Sequence, residues 1–257
     1  METGRRARLY VEDDLRRGSA VALDAHRAHY LGHVLRAASG APVLLFNGRD
    51  GEWAGRIERL AKRTATVTLE ERLRAQDDGA DLWLAFAPLK RFSIDLLAEK
   101  ATELGVSALW PILTERTQVA RVNLARLAAN AVEAAQQSGR LTVPRVLEPA
   151  RLPAALARWP AGRRLMLCDE SGAAPPIAHA LGALEPGAAR APWAVMVGPE
   201  GGFAPVELDA LRDLPFVTPV GLGPRLLRAE TAALAALACW QSLVGEWRPR
   251  AVEPRPR

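Results

Sequence analysis

The chain has 257 residues, 49% hydrophobic and 25% charged, with a formal net charge of +5. That is the composition of a globular protein with room for one large or two modest domains. Nowhere do 18 apolar residues run together, which excludes a membrane-spanning helix and leaves no membrane partner expected.

The N-terminus, METGRRARLYVEDD, carries charge where a signal peptide would need an apolar stretch. Cys168 and Cys239 both lie in apolar runs. They read as buried thiols of a reducing compartment, so a cytoplasmic location is expected. Residues 1–75 hold 14 Lys and Arg against 10 Asp and Glu, so most of the positive charge sits there. Arg5, Arg6, Arg8, Arg16, Arg17, Arg27 and Arg36 all fall in the first half of that piece. Such a tilt favours a polyanionic partner.

These first residues read mostly as strand. Arg8–Val11 is short and alternating. Ala41–Phe46 is apolar, and Asn47-Gly48 with Asp50-Gly51 supplies turn chemistry. Trp53–Leu60 and Thr64–Leu69 alternate as half-buried strands do. One helix interrupts, capped by Asp24 and running from Ala25 to Arg36. The expectation is a small barrel. The polar, aperiodic stretch Arg74–Asp81 marks a domain boundary.

From Leu82 onward strands and helices alternate, which implies a largely parallel sheet. Strands are expected at Leu82–Ala87, Ala108–Leu113, Arg164–Cys168, Trp193–Val197 and Phe216–Val220. Helices are expected at Phe92–Leu104, Leu124–Ser138, Pro205–Leu214 and Leu226–Trp247. In the first of these, Phe92, Leu96, Leu97, Ala101 and Leu104 form the apolar side, and Gly105 ends it. The tail, Arg248–Arg257, alternates Pro and Arg and reads as disordered.

Three strand ends stand out. Trp193–Val197 runs into Gly198-Pro199-Glu200-Gly201-Gly202, a loop whose backbone can approach a ligand closely. Leu165–Cys168 runs into Asp169-Glu170-Ser171-Gly172, and Val220 into Gly221-Leu222-Gly223-Pro224-Arg225. In an open α/β sheet, ligands bind at the carboxyl ends of the strands. Beyond the third loop, Arg228, Glu230 and Thr231 read as the first turns of an apolar helix. A carboxylate suits a helix start, whereas a cation there needs an anion or a developing negative charge to meet. The opposing reading is a solvated surface pair.

No G-x-x-x-x-G-K-[ST], no early G-x-G-x-x-G and no G-x-S-x-G occurs. These absences count against P-loop nucleotidases, Rossmann dinucleotide enzymes and nucleophile-elbow hydrolases. His26, His29 and His33 share one helix face. With no Cys nearby, a packed or RNA-facing helix is preferred to a zinc site, and no metal is expected.

The order of segments resembles the uridine-N3 methyltransferase family that acts on small-subunit ribosomal RNA, the RsmE family of the SPOUT superfamily. The matching pieces are His29-x-x-x-Val34-Leu35-Arg36, Lys100-Ala101-Thr102-Glu103-Leu104-Gly105-Val106, Glu115-Arg116 and Gln137-Ser138-Gly139-Arg140. They continue with the GPEGG loop, Leu222-Gly223, and Leu226-Leu227-Arg228-x-Glu230-Thr231-Ala232. Ala229 stands where the family usually has Thr, and Gln136 where an acidic residue is more usual.

The resemblance implies a fold: an α/β, SPOUT-type knotted parallel-sheet domain preceded by a small PUA-like β-barrel domain. The barrel would span 1–76, the knotted domain 77–247 and the tail 248–257. It implies S-adenosylmethionine as cofactor, held by Leu167, Gly198, Pro199, Glu200, Gly201, Leu222, Gly223 and Leu227. Arg228, Glu230 and Glu200 would carry catalysis, and Arg8, Arg36, Arg116 and Arg140 would contact RNA. The partners would be 16S ribosomal RNA within the small subunit and a second copy of the chain. Two alternatives stay open: a SPOUT methyltransferase acting on a ribose hydroxyl or on tRNA, and a non-catalytic RNA-binding protein.

Overall fold

The computed structural model describes residues 7–119, 121–185 and 187–247, without the side chains of Arg91, Phe92 and Ala189. Arg5, Arg6 and the tail from 248 lie outside the described residues, as does the expected apolar role of the Phe92 side chain. The chain divides into two compact units. One runs to Asp78 and also takes in Ala135–Val143; the other holds Gly79–Ala134 and the remainder from Pro144.

The first unit is built on β1 (Ala7–Tyr10), β2 (Ala20–Leu23), β3 (Pro42–Phe46), β4 (Glu52–Leu60) and β5 (Ala65–Arg74). They form one sheet in the order β1-β3-β4-β5-β2. β1 runs parallel to β3, and the other pairs are antiparallel. Alternation sends Val21 and Leu23, Val43 and Leu45, and Ala65, Val67 and Leu69 into one core. Burying each Val or Leu side chain there contributes about 1.5–3 kcal/mol. Register shifts along β4 bend it against β5.

The helix after β2 is shorter than its sequence promised. Asp24 does cap it, accepting from the Arg27 N–H at 2.8 Å. α1 covers only Ala25–His29, and the next turn, Tyr30–Val34, is a π-helix. Arg36 then takes φ 53°. A non-glycine residue in that left-handed region is uncommon.

Ala135–Val143 joins this unit through Arg8. That guanidinium is an expected RNA contact, but its side chain is only 10% exposed. Its Nε donates to Glu52 Oε1 at 2.5 Å, and its other nitrogens donate to the carbonyls of Ala135, Gln136 and Arg140. It also lies 3.8 Å above the Phe46 ring. Gln136 accepts from the Tyr10 N–H at 2.9 Å, so this departure from the family pattern does structural work. Burial lowers the Arg8 pKa, and the Glu52 carboxylate opposes that shift. Arg8 therefore serves as a structural cation in this unit, its guanidinium engaged by Glu52 and three carbonyls.

The second unit contains β6 (Leu82–Phe86), α2 (Arg91–Glu103), β7 (Ala108–Leu113) and α3 (Leu124–Ser138), whose last residues fall in the first unit. There follow β8 (Arg145–Val146), β9 (Ala150–Arg151), α4 (Leu152–Ala157), β10 (Arg164–Cys168) and α5 (Ile177–Gly182). The chain finishes with β11 (Trp193–Val197), α6 (Pro205–Arg212), β12 (Val217–Val220) and α7 (Ala229–Leu243). All strand pairs are parallel, in the order β12-β10-β11-β6-β7-β8, with β9 paired to β7.

Both sheet faces are covered. Leu82, Leu84 and Phe86 of β6 share a core with Leu97 of α2 and Ala233, Leu237 and Trp240 of α7. Trp83 and Ala85 face the other way, toward Leu152 and Ala155 of α4 and Leu208 and Leu211 of α6. Burial on both faces explains why these strands read as continuous apolar runs.

The stretch after β12 folds back over the loop that follows β10. Gly221 donates to the Pro175 carbonyl at 2.8 Å and accepts from the Ile177 N–H at 3.0 Å. α7 then packs against α2, α5, β10 and β11. Gln241, buried in that packing, donates to the Leu104 carbonyl at 2.7 Å.

Candidate active site

The strands β12, β10 and β11 are neighbours, so their carboxyl ends bring three loops together. These loops line a cavity of about 740 Å³. That is the size of a cofactor or small-molecule site. Its wall includes Asp169, Glu170, Gly198, Pro199, Glu200, Leu222, Gly223, Leu227 and Arg228. Most of the residues expected to hold the cofactor are thus in one place, as is one of the two carboxylates proposed for catalysis.

Leu167 and Gly201 do not line it. Leu167 is fully buried in the core under α4 and α6, and its successors Cys168 and Asp169 form the wall. Gly201 turns its carbonyl to Arg116, whose guanidinium donates to it at 2.9 Å. Arg116, expected to touch RNA, is exposed and braces the loop from outside.

The GPEGG loop owes its shape to its glycines. A Cβ on Gly198 would lie 3.0 Å from the Phe203 ring. Gly202 takes φ 68°, and a Cβ there would lie 2.4 Å from Glu170 Oε1. An alanine at Gly202 would meet backbone strain and would displace the Glu170 carboxylate. The Gly202 N–H closes the turn on the Pro199 carbonyl at 2.9 Å. α6 starts directly after, and Glu207 accepts from the Ala204 N–H at 3.1 Å, as a helix-start carboxylate does.

Asp169 ends β10 with a side chain that is 0% exposed. Its Oδ2 accepts from Arg212 Nη2 at 2.6 Å and from Nε at 2.9 Å. Its Oδ1 accepts from the Ser171 N–H at 2.9 Å. Burial pushes the carboxyl pKa up, but the Ser171 and Arg212 hydrogen bonds outweigh it and hold the group below its usual value. Cys168 next to it is buried, and that burial pushes its thiol up to about 12. It is a protonated wall group, not a nucleophile.

Arg228 is not inside the helix that sequence assigned to it. Leu226 and Leu227 belong to the loop, Leu226 is 90% exposed, and α7 begins only at Ala229. Arg228 is the N-cap residue with extended backbone, φ −65° and ψ 152°. This resolves the oddity of a cation at a helix start, because its side chain leaves from a loop that lines the cavity. It is exposed and has no ion-pair partner among the described residues. Glu230 is one residue inside α7 and does not line the cavity. It accepts from the Ser93 hydroxyl of α2 at 3.2 Å.

Of the other expected RNA contacts, Arg36 is exposed, and Arg140 is half-buried with Nη2 donating to Thr142 Oγ1 at 2.9 Å. His29 and His33 stack with ring centres 4.4 Å apart. Among the described residues no group of three or more His, Cys, Asp or Glu side chains could hold a metal ion. No helix among them is long and apolar enough to cross a membrane.

Three glycine-lined loops around one cavity, at the carboxyl edge of a parallel sheet, define an α/β nucleotide- or cofactor-binding enzyme. Sequence comparison narrows that class. The RNA methyltransferase domain family matches residues 77–241, and the RNA methyltransferase PUA domain family matches residues 23–70. The ribosomal RNA small subunit methyltransferase E of Rickettsia conorii is 32% identical, the match covering 90% of this chain and 93% of that one. The Synechocystis protein of the same name is also 32% identical, over 90% of this chain and 76% of its own. Among solved structures, the Neisseria gonorrhoeae ribosomal RNA small subunit methyltransferase E bound to S-adenosyl methionine superposes with a TM-score of 0.81. It is 31% identical, with 94% of this chain and 99% of that one covered. This chain belongs to the ribosomal RNA small subunit methyltransferase E family, with the SPOUT-type α/β domain and PUA-like N-terminal domain of that family.

Proposed function

We propose that this protein methylates N3 of a uridine in small-subunit ribosomal RNA, using S-adenosylmethionine. The observation that carries the reading is the cavity itself: three loops, with Arg228 and Glu200 both in its lining. Relatives named ribosomal RNA small subunit methyltransferase E, one of them solved with S-adenosyl methionine bound, support it.

The residues present fit that cofactor. Leu222, Leu227 and Val197 offer apolar surface for a flat base, and the glycine backbones leave room for close approach. Glu170 and Glu200 bring negative charge to the lining, which would suit a positively charged ligand. When bound, S-adenosylmethionine supplies a methyl group already activated on a positive sulfur.

The protein's own task is the uridine. N3 lies on the base-pairing edge, so the target must be unpaired or turned out of its helix. Its proton has to leave, and negative charge then spreads toward O2 and O4. Arg225 and Arg228 both line the cavity without an ion-pair partner among the described residues; Arg228, at the start of α7, is the one that holds that charge. Glu200 accepts the proton. Glu230 is a weaker choice, because it is outside the lining and engaged by Ser93. Arg36 and Arg140 grip phosphate, a contact that carries no sequence information. The exposed Leu226 and Leu243 are surface for a second copy of the chain.

The test is transfer of labelled methyl from S-adenosylmethionine to small ribosomal subunits prepared from cells lacking this protein. Label in the small-subunit RNA is expected. Absence of label from that RNA overturns the proposal.

A further inference from the structure

Arg212 lies outside the cavity, at the far end of α6, yet it reaches the loop that forms one wall. Its Nε and Nη2 both donate to Asp169 Oδ2, and Nη2 also donates to Ser171 Oγ at 2.6 Å. Asp169 and Ser171 line the cavity, whereas Arg212 does not. The same loop is tied a second time. Glu170 Oε1 accepts from the Phe203 N–H at 2.8 Å, just before α6 begins. The 169–172 loop is therefore fastened to the two ends of one helix. That helix grows directly out of the GPEGG loop, so the two cavity walls are joined outside the cavity.

We infer that Arg212 is a positioning residue for cofactor binding: it acts through Asp169 and Ser171 to hold the 169–172 loop in its binding shape. An Arg fork matters here because one planar group serves two acceptors at once, which the single nitrogen of Lys cannot do in the same geometry. With Arg212 removed, the buried Asp169 carboxylate loses its counter-charge and turns toward water, and the loop leaves with it. The inference rests on the proposed use of S-adenosylmethionine.

The experiment is calorimetric titration of the full chain and its Arg212→Met variant with S-adenosylmethionine, followed by steady-state kinetics. The dissociation constant should rise at least tenfold. The KM for cofactor should rise with it, while kcat at saturating cofactor and the KM for RNA stay within about threefold. A merely structural role would instead lower kcat and active fraction at every cofactor concentration. Arg212→Lys should lie between the two, and it serves as the readout if the Met variant does not fold. Wild-type and variant dissociation constants within twofold would overturn the inference alone. Absence of binding by the wild-type chain would overturn the reading on which it rests.

Discussion

Arg8 Nε lies 2.5 Å from Glu52 Oε1 inside the first unit, with the two side chains 10% and 7% exposed. Removing Arg8 would leave the buried Glu52 carboxylate with only the longer Arg74 contact, at 3.7 Å. Arg8→Met should therefore destabilise the protein by about 3–5 kcal/mol, the range for breaking a buried ion pair. Urea unfolding measures this. The double variant Arg8→Met, Glu52→Gln should recover part of the loss. Because the Arg8 guanidinium is engaged by Glu52 and the carbonyls of Ala135, Gln136 and Arg140, the salt dependence of RNA binding should be unchanged in any folded Arg8 variant.

Arg36→Ala should behave in the opposite way. The side chain is exposed, so stability should shift by less than about 0.5 kcal/mol or rise slightly, since the left-handed backbone favours neither residue. RNA binding should weaken uniformly across sequences, and the slope of log affinity against log salt should fall by roughly one contact. Filter binding at several salt concentrations reads both.

Arg228→Ala should lower kcat by about 10²–10³ while leaving cofactor affinity near normal, as removal of one charge-stabilising donor does. Single-turnover transfer at saturating cofactor is the measurement. Arg228→Lys should recover part of the rate. Near-normal turnover in the Ala variant would remove Arg228 from the reaction.

Asp169 makes a pH prediction whose sign is fixed. Its folded pKa is depressed below the ordinary 3.8, mainly against burial and through Ser171 and Arg212. Such a carboxylate contributes stability above the unfolded pKa, and the contribution is lost as pH falls through the folded value. Asp81 is depressed too: burial raises it, and Arg163 more than offsets that. Melting temperature should therefore be flat in these groups above about pH 5 and should fall below about pH 4. In Asp169→Asn the fall should be shallower, from a lower plateau.

Cys168, with its thiol pushed up to about 12, should resist alkylation at pH 8 in the folded protein. Mass spectrometry after brief iodoacetamide treatment should find it modified only after denaturation. Cys239, which is half-buried, should react first.

Much of the second unit was legible because its strands are buried on both faces. Arg164–Cys168, Trp193–Val197 and Ala108–Leu113 stand where their apolar runs place them. The loops were legible because strand ends followed by glycine and acid are visible in sequence. What failed depended on direction or distance. Leu167 is apolar and next to the cavity, but strand alternation turns it with Leu165 into the opposite core. Leu226 looked like a helix residue, since hydrophobic pattern cannot distinguish a buried leucine from one held in solvent. Arg8 looked like a surface cation because its partners, Ala135, Gln136 and Arg140, are more than a hundred residues away. Arg212 carried no signal at all, being an ordinary last-turn arginine until Asp169 is seen beside it.

The most direct test of the whole account is the chemical identity of the product. Small subunits from cells lacking the protein would be treated with it and S-adenosylmethionine, and the RNA digested to nucleosides for mass spectrometry. 3-Methyluridine is expected from small-subunit RNA, and it should be absent when Arg228→Ala replaces the wild type. A ribose-methylated nucleoside, or a methylated base other than uridine, would contradict it.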